Sequence, residues 1–170
     1  MSSHDIFITE PDMDQLSHLI GGVRQTLGTN PAQVKMLETE LDRAVIVSPF
    51  VISPDVVTMH SRVRVRDLNA NQDSTYTLVF PRDADFSHGK ISVLAPVGTA
   101  ILGSRVGDVI EWKVPGGIRK LRIEEVLYQP ERAARVAPIV RALNDEHART
   151  SDPSQLGNQP GSREPVFDVS

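Results

Sequence analysis

Apolar residues recur at helical spacing through the first fifty positions of the chain. Thr9 and Asn30 each stand shortly before a proline, a combination typical of the first turn of a helix. The apolar stripes that follow them are Met13, Leu16, Leu19, Ile20, Val23 and Leu27, then Val34, Leu37, Leu41 and Ala44. Gly21 and Gly22 interrupt the first stripe and are expected to end or loosen that helix. The pattern predicts an antiparallel helical hairpin over residues 1–50, although two helices lying on a sheet fit it equally well.

From Pro54 to Gln129 the hydrophobic period changes to two, as in strands with one buried face. The segments that fit this period are DVVTM, SRVRVRDL, STYTLVF, KISVL, VIEWKV and RKLRIEEVL. The exception is PVGTAILGS, which Pro96 and Gly103 bracket as a helix of about two turns. The chain is therefore predicted to be an α+β protein, in which an antiparallel sheet with one short helix follows the helical hairpin.

The C-terminal part of the chain has a different composition. The segment ERAARVAPIVRALNDEHA is predicted to form a helix that Pro138 breaks or restarts. The remainder is rich in Pro, Gly and Ser and is predicted to be disordered. Val166 and Phe167 are candidates for docking in a groove, but a solvated terminus is the preferred interpretation. The predicted domain organisation is a helical hairpin, a sheet domain and a helix with a tail, at residues 1–50, 51–130 and 131–170.

The composition excludes several classes of protein. The chain has 170 residues, a net charge of −4 and no cysteine. Without cysteine, neither a disulfide framework nor a thiolate zinc site is possible. The negative charge gives no general attraction to nucleic acid phosphates. Because no apolar run has membrane-spanning length and the N-terminus lacks a signal-peptide pattern, we expect a soluble cytoplasmic protein.

No motif for catalysis, a cofactor or a metal stands out. The five histidines are scattered, and none is expected to pair locally with an acidic residue. The segment Gly98–Arg105 has the glycine spacing of a phosphate-binding loop, but it lacks the Lys and the following Ser or Thr that such a loop needs. Asp83 and Asp85 could form a carboxylate pair, yet a solvated loop explains them better. We expect a protein without catalytic residues, cofactor or metal.

The arginines of the RVRVR segment form a possible basic ridge. Arg62, Arg64 and Arg66 alternate with Val63 and Val65, so a strand places the charges on one face and the valines on the other. A row of guanidinium groups suits phosphate or an acidic protein surface. A charged face is also common on any half-exposed strand, and this is the preferred interpretation.

Longer motifs resemble a known family. The segment GKISVLAPVGTAILGSRVGDVIEWKVPGGIRKLRIEEV is similar to the C-terminal domain of the bacterial Gre-type transcript cleavage factors, with Ala95 where that family usually has Ser. Further segments, LDRA, PDVVTMHSRVRVRDL, YTLVFP and LYQPE, resemble the regulators of nucleoside diphosphate kinase, which are short relatives of the Gre factors. Together the motifs run from Leu41 to Glu131.

The resemblance implies an FKBP-like fold for the sheet domain and binding to RNA polymerase at the mouth of its secondary channel. In Gre factors an apolar turn docks on a coiled coil of the polymerase's largest subunit. The positions that correspond to this turn are Ser92, Val93, Leu94, Ala95, Pro96 and Val97. Serine and proline are expected to be the better contacts, because Leu94 and Val97 can serve as core residues. Nucleic acid would be reached only indirectly, through the polymerase.

The same resemblance also indicates that this protein does not catalyse transcript cleavage. Gre factors hold a magnesium ion with two acidic residues at the tip of a long helical finger. In this chain no Asp or Glu lies between Asp14 and Glu38, and the predicted second helix spans only roughly 21 Å. We therefore expect a non-catalytic regulator that competes with the cleavage factors. Two alternatives stay open: an FKBP-like prolyl isomerase, for which aromatic residues are few, and a direct binder of nucleoside diphosphate kinase.

Overall fold

The computed structural model describes residues 5–24 and 29–150, with the backbone alone at residue 113 and at residues 145–150. The described residues up to Val136 form one compact unit, and those from Ala137 onward belong to a second one. The first unit contains helices followed by a five-stranded sheet, which confirms the predicted α+β class. Among the described residues, no helix is long and apolar enough to cross a membrane.

The N-terminal part consists of two helices and two short strands. They are β1 (Phe7–Thr9), α1 (Glu10–Val23), α2 (Pro31–Asp42) and β2 (Val45–Val47). Both predicted helix caps are present. Thr9 Oγ1 accepts a hydrogen bond from the Asp12 N–H at 3.3 Å, and Asn30 Oδ1 accepts one from the Ala32 N–H at 3.0 Å. The local sequence thus sets where each helix begins.

The two helices pack on each other through the predicted apolar stripes; α1 also packs against the small parallel sheet of β1 and β2, and α2 packs against α3 (Pro96–Ile101). The buried side chains of the stripes are Leu16, Ile20, Val34, Leu37 and Leu41. α1 includes Gly21 and Gly22 and ends directly after them, at Val23, in agreement with the prediction that these glycines end or loosen the helix. Arg24, directly after α1, donates a hydrogen bond to Glu38 of α2. The sequence left two alternatives open, a helical hairpin and helices that lie on a sheet. The structure combines features of both.

The main sheet has five strands in the order β5-β4-β3-β7-β6. They are β3 (Arg62–Asp67), β4 (Gln72–Val79), β5 (Lys90–Ser92), β6 (Val109–Val114) and β7 (Gly117–Tyr128). The pairs β3–β4, β3–β7 and β6–β7 are antiparallel as predicted, whereas β4 and β5 are parallel. The parallel pair arises because the chain between β4 and β5 crosses over through two short 3₁₀ helices instead of reversing in a hairpin.

The core lies on the inner face of the sheet, where α3 (Pro96–Ile101) and the N-terminal helices cover it. Val63 and Val65 are fully buried there, as their alternation with the arginines predicts. Gly103, just after α3, has a φ angle of 72°, and a Cβ at this position would lie 3.0 Å from the Phe7 nitrogen. The Gly103 carbonyl accepts a hydrogen bond from the Phe7 N–H at 3.1 Å. Glycine therefore lets β1 lie directly against the end of α3.

The predicted strand DVVTM is not a strand. Val56 makes only an isolated bridge with Arg105, and the side chains of residues 56–59 are all buried. Adjacent side chains of a strand point to opposite faces, so a strand at the edge of the core cannot bury all of them. The segment instead follows an irregular path through the interior, and the Val57 N–H donates to the Ser104 carbonyl at 2.9 Å.

The predicted break at Pro138 is also absent, since α4 (Pro130–Thr150) runs through it. Proline removes one N–H donor from a helix, while the hydrogen bonds of the flanking turns remain. The predicted docking residues Val166 and Phe167 lie outside the described residues. The predicted boundaries at residues 50 and 130 stay predictions.

Candidate docking site

The turn for which the family resemblance predicts docking connects β5 to α3. Two hydrogen bonds close it on Ser92. The Ser92 carbonyl accepts from the Ala95 N–H at 3.0 Å, and Ser92 Oγ accepts from the Leu94 N–H at 3.1 Å. Pro96 stands at the first position of α3, where its ring fixes φ in the helical range. The hydrogen bonds and the proline ring therefore restrict the conformation of the turn.

Two residues of α3, Thr99 and Gly98, contact the backbone of the turn and restrict its position. Thr99 Oγ1 donates a hydrogen bond to the Val93 carbonyl at 2.6 Å. Gly98 lies against the end of β5 so closely that an added Cβ would be 2.0 Å from the Ser92 carbonyl oxygen. Because this neighbour is backbone, it cannot rotate away as a side chain can. Only glycine allows α3 to approach the strand this closely.

The six predicted contact residues divide into two groups by burial. Val93 and Leu94 are 0% and 6% exposed, so their side chains belong to the core. The other four, Ser92, Ala95, Pro96 and Val97, are half-buried. Val97 also packs against the core. The side chains that can touch a partner without rearrangement are therefore those of the second group.

The arginine ridge lies on the outer face of β3, but most of its charge is compensated. Arg64 forms an ion pair with Glu125 at 2.9 Å, and Arg66 forms one with Asp73 at 2.6 Å. The hydrogen bond from Arg66 lowers the pKa of Asp73. Within the described part of the chain, Arg62 has no carboxylate partner. The three arginines therefore do not present a uniform basic surface.

Asp83 and Asp85 each have a basic neighbour and do not form a carboxylate pair. Asp83 pairs with Arg82 at 3.4 Å, and Asp85 pairs with His88 Nδ1 at 2.6 Å. The expectation that no histidine pairs locally with an acidic residue is wrong for His88. Hydrogen bonds from Ser87 and His88 hold the pKa of Asp85 below its usual value. Over residues 5–24 and 29–150, no group of three His, Asp or Glu side chains could hold a metal ion.

A buried polar cluster, which the sequence analysis did not identify, joins α1 to the chain before β3. Asp12 is 8% exposed and accepts a hydrogen bond from the Met59 N–H at 3.0 Å. Next to it, Thr58 Oγ1 donates to Glu131 Oε2 at 2.8 Å. Burial raises the pKa of Asp12, and the charge of Glu131 raises it further. In the sequence, Asp12 stands three positions after the cap residue Thr9, a spacing that indicates the start of a helix. This local pattern gives no sign that Asp12 accepts a hydrogen bond from a distant residue.

Two surface pockets have linings without Phe, Tyr or Trp. One of about 540 Å³ lies between the turn after β3 and the turn after β6, and one of about 400 Å³ lies on the outer face of β3 and β4. A prolyl isomerase needs aromatic side chains that grip the proline ring. These two pockets therefore give no support to the isomerase alternative.

The helix pair, the curled sheet with one short helix and the fixed turn between β5 and α3 define a Gre-type protein. Residues 52–128 match the family described as transcription elongation factor GreA/GreB, C-terminal part, and residues 4–47 match the family described as the Rnk N-terminus. A solved structure described as a prokaryotic transcription elongation factor GreA/GreB, from Nitrosomonas europaea, is similar with a TM-score of 0.60 and 44% identity. The similarity covers 73% of this chain and 100% of that one.

Sequence relatives agree with the structural likeness. The regulator of nucleoside diphosphate kinase from Escherichia coli strain K12 is 41% identical over 134 residues, which are 78% of this chain and 96% of that protein. Transcription elongation factor GreA from Alkaliphilus oremlandii is 40% identical over 94 residues, which are 55% of this chain and 59% of that protein. The chain therefore belongs to the Rnk family, the regulators of nucleoside diphosphate kinase, whose C-terminal part is a GreA/GreB-type domain.

Proposed function

We propose that this protein regulates transcription by binding RNA polymerase at the mouth of its secondary channel, without cleaving RNA. The observation that carries the proposal is the turn at Ser92–Val97, whose backbone is closed by hydrogen bonds while Ser92, Ala95 and Pro96 stay partly accessible. Membership of a family with a GreA/GreB-type C-terminal domain supports it. Polymerase binding makes the cytoplasm the place of action.

The chemistry of the turn suits a helical partner on the polymerase's largest subunit. Ala95 and Pro96 offer a small apolar surface, and Ser92 adds one hydroxyl beside it. Such a patch loses little conformational freedom on binding, because proline and the closed turn are already ordered. The contact is small, so neighbouring surfaces of the sheet domain must contribute to the total buried area.

Two features of the N-terminal helices support the proposal that the protein is not a cleavage factor. Magnesium that activates water is bound by carboxylates, and the sequence between Asp14 and Glu38 contains none. α2 has 12 residues, so its axis is roughly 18 Å long. We infer that the protein occupies the channel entrance and excludes true cleavage factors from it.

The experiment that tests this function measures binding of the full-length protein to purified RNA polymerase core enzyme, followed by displacement with GreA. Saturable binding that GreA displaces supports the shared site. Saturable binding that excess GreA leaves unchanged would place the protein elsewhere on the polymerase, and absence of binding would reject the function.

A second candidate function is direct control of nucleoside diphosphate kinase, which the name of the Escherichia coli relative favours. The name is equally compatible with control of the kinase gene through transcription. The same binding assay with purified kinase in place of polymerase separates the two, because direct control requires a complex with the kinase.

A further inference from the structure

We propose that the outer face of the sheet carries a binding site for a phosphate group, formed by Arg62, His88 and Lys90 with the hydroxyls of Thr75 and Thr77. This site is separate from the turn at Ser92–Val97 and does not depend on the function proposed for that turn.

Strand register brings the cationic residues together. Arg62 of β3 is paired with Thr77 of β4, and Thr77 is paired with Lys90 of β5. Paired residues of neighbouring strands point to the same face and lie about 4.8 Å apart along the sheet. Thr75 is on the same face of β4, two residues away. The two cations therefore flank a threonine hydroxyl, with a second hydroxyl beside it.

A concave space lies beside Lys90, and the other residues of the proposed site line it together with Gly89. A pocket of about 400 Å³ is lined by Arg62, Thr75, Thr77, His88 and Gly89. Gly89 has a φ angle of 69°, and a Cβ there would lie 2.9 Å from the Thr75 carbonyl oxygen. The Gly89 carbonyl accepts a hydrogen bond from the Thr77 N–H at 2.8 Å. Glycine thus lets the loop that carries His88 lie close against β4 as one wall of the pocket.

Two of the cations at this pocket, Arg62 and Lys90, are not compensated by the protein, whereas His88 is paired with Asp85. Five other basic side chains of the sheet bind carboxylates, namely Arg64, Arg66, Arg119, Lys120 and Arg122. Among the side chains that the structure describes, none forms an ion pair with Arg62 or Lys90. The nearby carboxylate of Glu125 is bound to Arg64. An anion from solution is therefore the partner that these two cations lack.

His88 is oriented for the same task. Asp85, whose pKa is lowered by its hydrogen bonds with Ser87 and His88, is an acceptor for His88 Nδ1 at 2.6 Å. An ionised carboxylate only accepts, so Nδ1 carries a proton and the ring is fixed by that bond. The bond at Nδ1 leaves Nε2 as the ring nitrogen that can meet a ligand.

A phosphate group fits this set of donors better than a carboxylate. Its oxygens can accept from a guanidinium fork, an ammonium group and two hydroxyls at once, whereas a carboxylate has two oxygens in one plane. The pocket is small, and an acidic protein would instead need an extended basic surface, which the paired Arg64 and Arg66 do not provide. The ligand is therefore a small molecule that is, or carries, a phosphate.

The test is an NMR titration of the full-length protein with inorganic phosphate and, separately, with adenosine monophosphate at constant ionic strength. We expect saturable shifts of the backbone amides of Thr75, Thr77, His88 and Gly89. The double variant Arg62→Gln/Lys90→Gln should bind at least about tenfold more weakly, since two charge-assisted contacts are lost. The matched control Lys35→Gln/Arg82→Gln removes the same charge outside the pocket and should bind as the unaltered protein does.

Each outcome decides the proposal. Equal affinity for the two probes assigns the site to phosphate alone, and tighter binding of the nucleotide assigns it to a phosphate ester. Absence of saturable shifts at these amides overturns the proposal, and so does equal weakening in the control variant. Tighter binding of a hexaglutamate peptide than of both probes would overturn it in favour of an acidic protein partner.

Discussion

The Asp12 carboxylate of α1 accepts a hydrogen bond from the backbone N–H of Met59 at 3.0 Å, across 47 positions of sequence. Met59 lies in the irregular segment that leads into β3, and both residues are buried. The bond therefore attaches the N-terminal helices to the base of the sheet. The Asp12 carboxyl is thus an ionisable group in the interior, and Glu131 and His60 interact with it electrostatically.

The first prediction concerns pH. Burial raises the pKa of Asp12 in the folded protein above the ordinary value of 3.8, so the native state binds this proton more tightly than the unfolded chain. The contribution of Asp12 to the free energy of unfolding is therefore greatest below pH 3.8 and falls as pH rises through the native pKa. The variant Asp12→Asn keeps an oxygen acceptor for the Met59 N–H but does not titrate. Its stability relative to the unaltered protein should improve as pH rises across this window.

Urea unfolding of both proteins at a series of pH values measures the difference. A difference that stays constant with pH would contradict the raised pKa. Asp12→Ala removes the acceptor altogether and should be less stable than Asp12→Asn by about 1–3 kcal/mol at every pH, because the Met59 N–H is left buried without a partner.

The second prediction concerns Gly98. The variant Gly98→Ala places a methyl group against the Ser92 carbonyl, where an added Cβ would be only 2.0 Å from the oxygen. We expect a loss of about 3 kcal/mol in the free energy of unfolding, since α3 or the turn must shift. Gly21→Ala is the matched control, because a Cβ there meets nothing within 4 Å in an exposed part of α1. It should stabilise the protein by about 0.5–1 kcal/mol. Equal effects of the two substitutions would show that the close approach is not required.

The third prediction concerns docking at Ala95. This residue is the N-cap of α3 and makes no side-chain capping bond. Asp and Ser are both preferred caps, so Ala95→Asp and Ala95→Ser should each fold at least as stably as the unaltered protein. Only Asp adds a charge to the apolar contact, and burying an unpaired charge is strongly unfavourable. We expect Ala95→Asp to weaken polymerase binding at least about tenfold and Ala95→Ser to retain it. Similar affinities for the two variants would remove this turn from the interface.

The fourth prediction concerns catalysis. Backtracked elongation complexes given this protein alone should release no short 3′ RNA fragments, because the sequence between Asp14 and Glu38 offers no carboxylate for magnesium. In a mixture with GreA, increasing amounts of the protein should reduce cleavage by GreA. Fragment release by the protein alone contradicts the non-catalytic function, and undiminished cleavage at saturating protein contradicts the shared site.

Features that depend on neighbours within a few residues were determined by the sequence alone. The caps Thr9 and Asn30 and the short helix after Pro96 follow from side chains that bond or constrain the backbone beside them. The alternation of Arg62–Arg66 likewise places Val63 and Val65 in the core, because successive side chains of a strand point to opposite faces. The sequence also showed the family resemblance, because long motifs in a fixed order are similar to those of the family.

Features that depend on which distant segments meet were decided only by the tertiary structure. β1 and β2 have three residues each, too few to show a period, and they exist because they pair with each other. The sequence could not show that Arg64 and Arg66 are neutralised while Arg62 is not, because Glu125 lies on another strand and Asp73 across a turn. The sequence also could not show that the Asp12 carboxylate accepts a hydrogen bond from the Met59 N–H. A hydrogen bond or an ion pair needs two groups within a few ångströms, and chain folding alone brings residues this far apart in sequence to that distance.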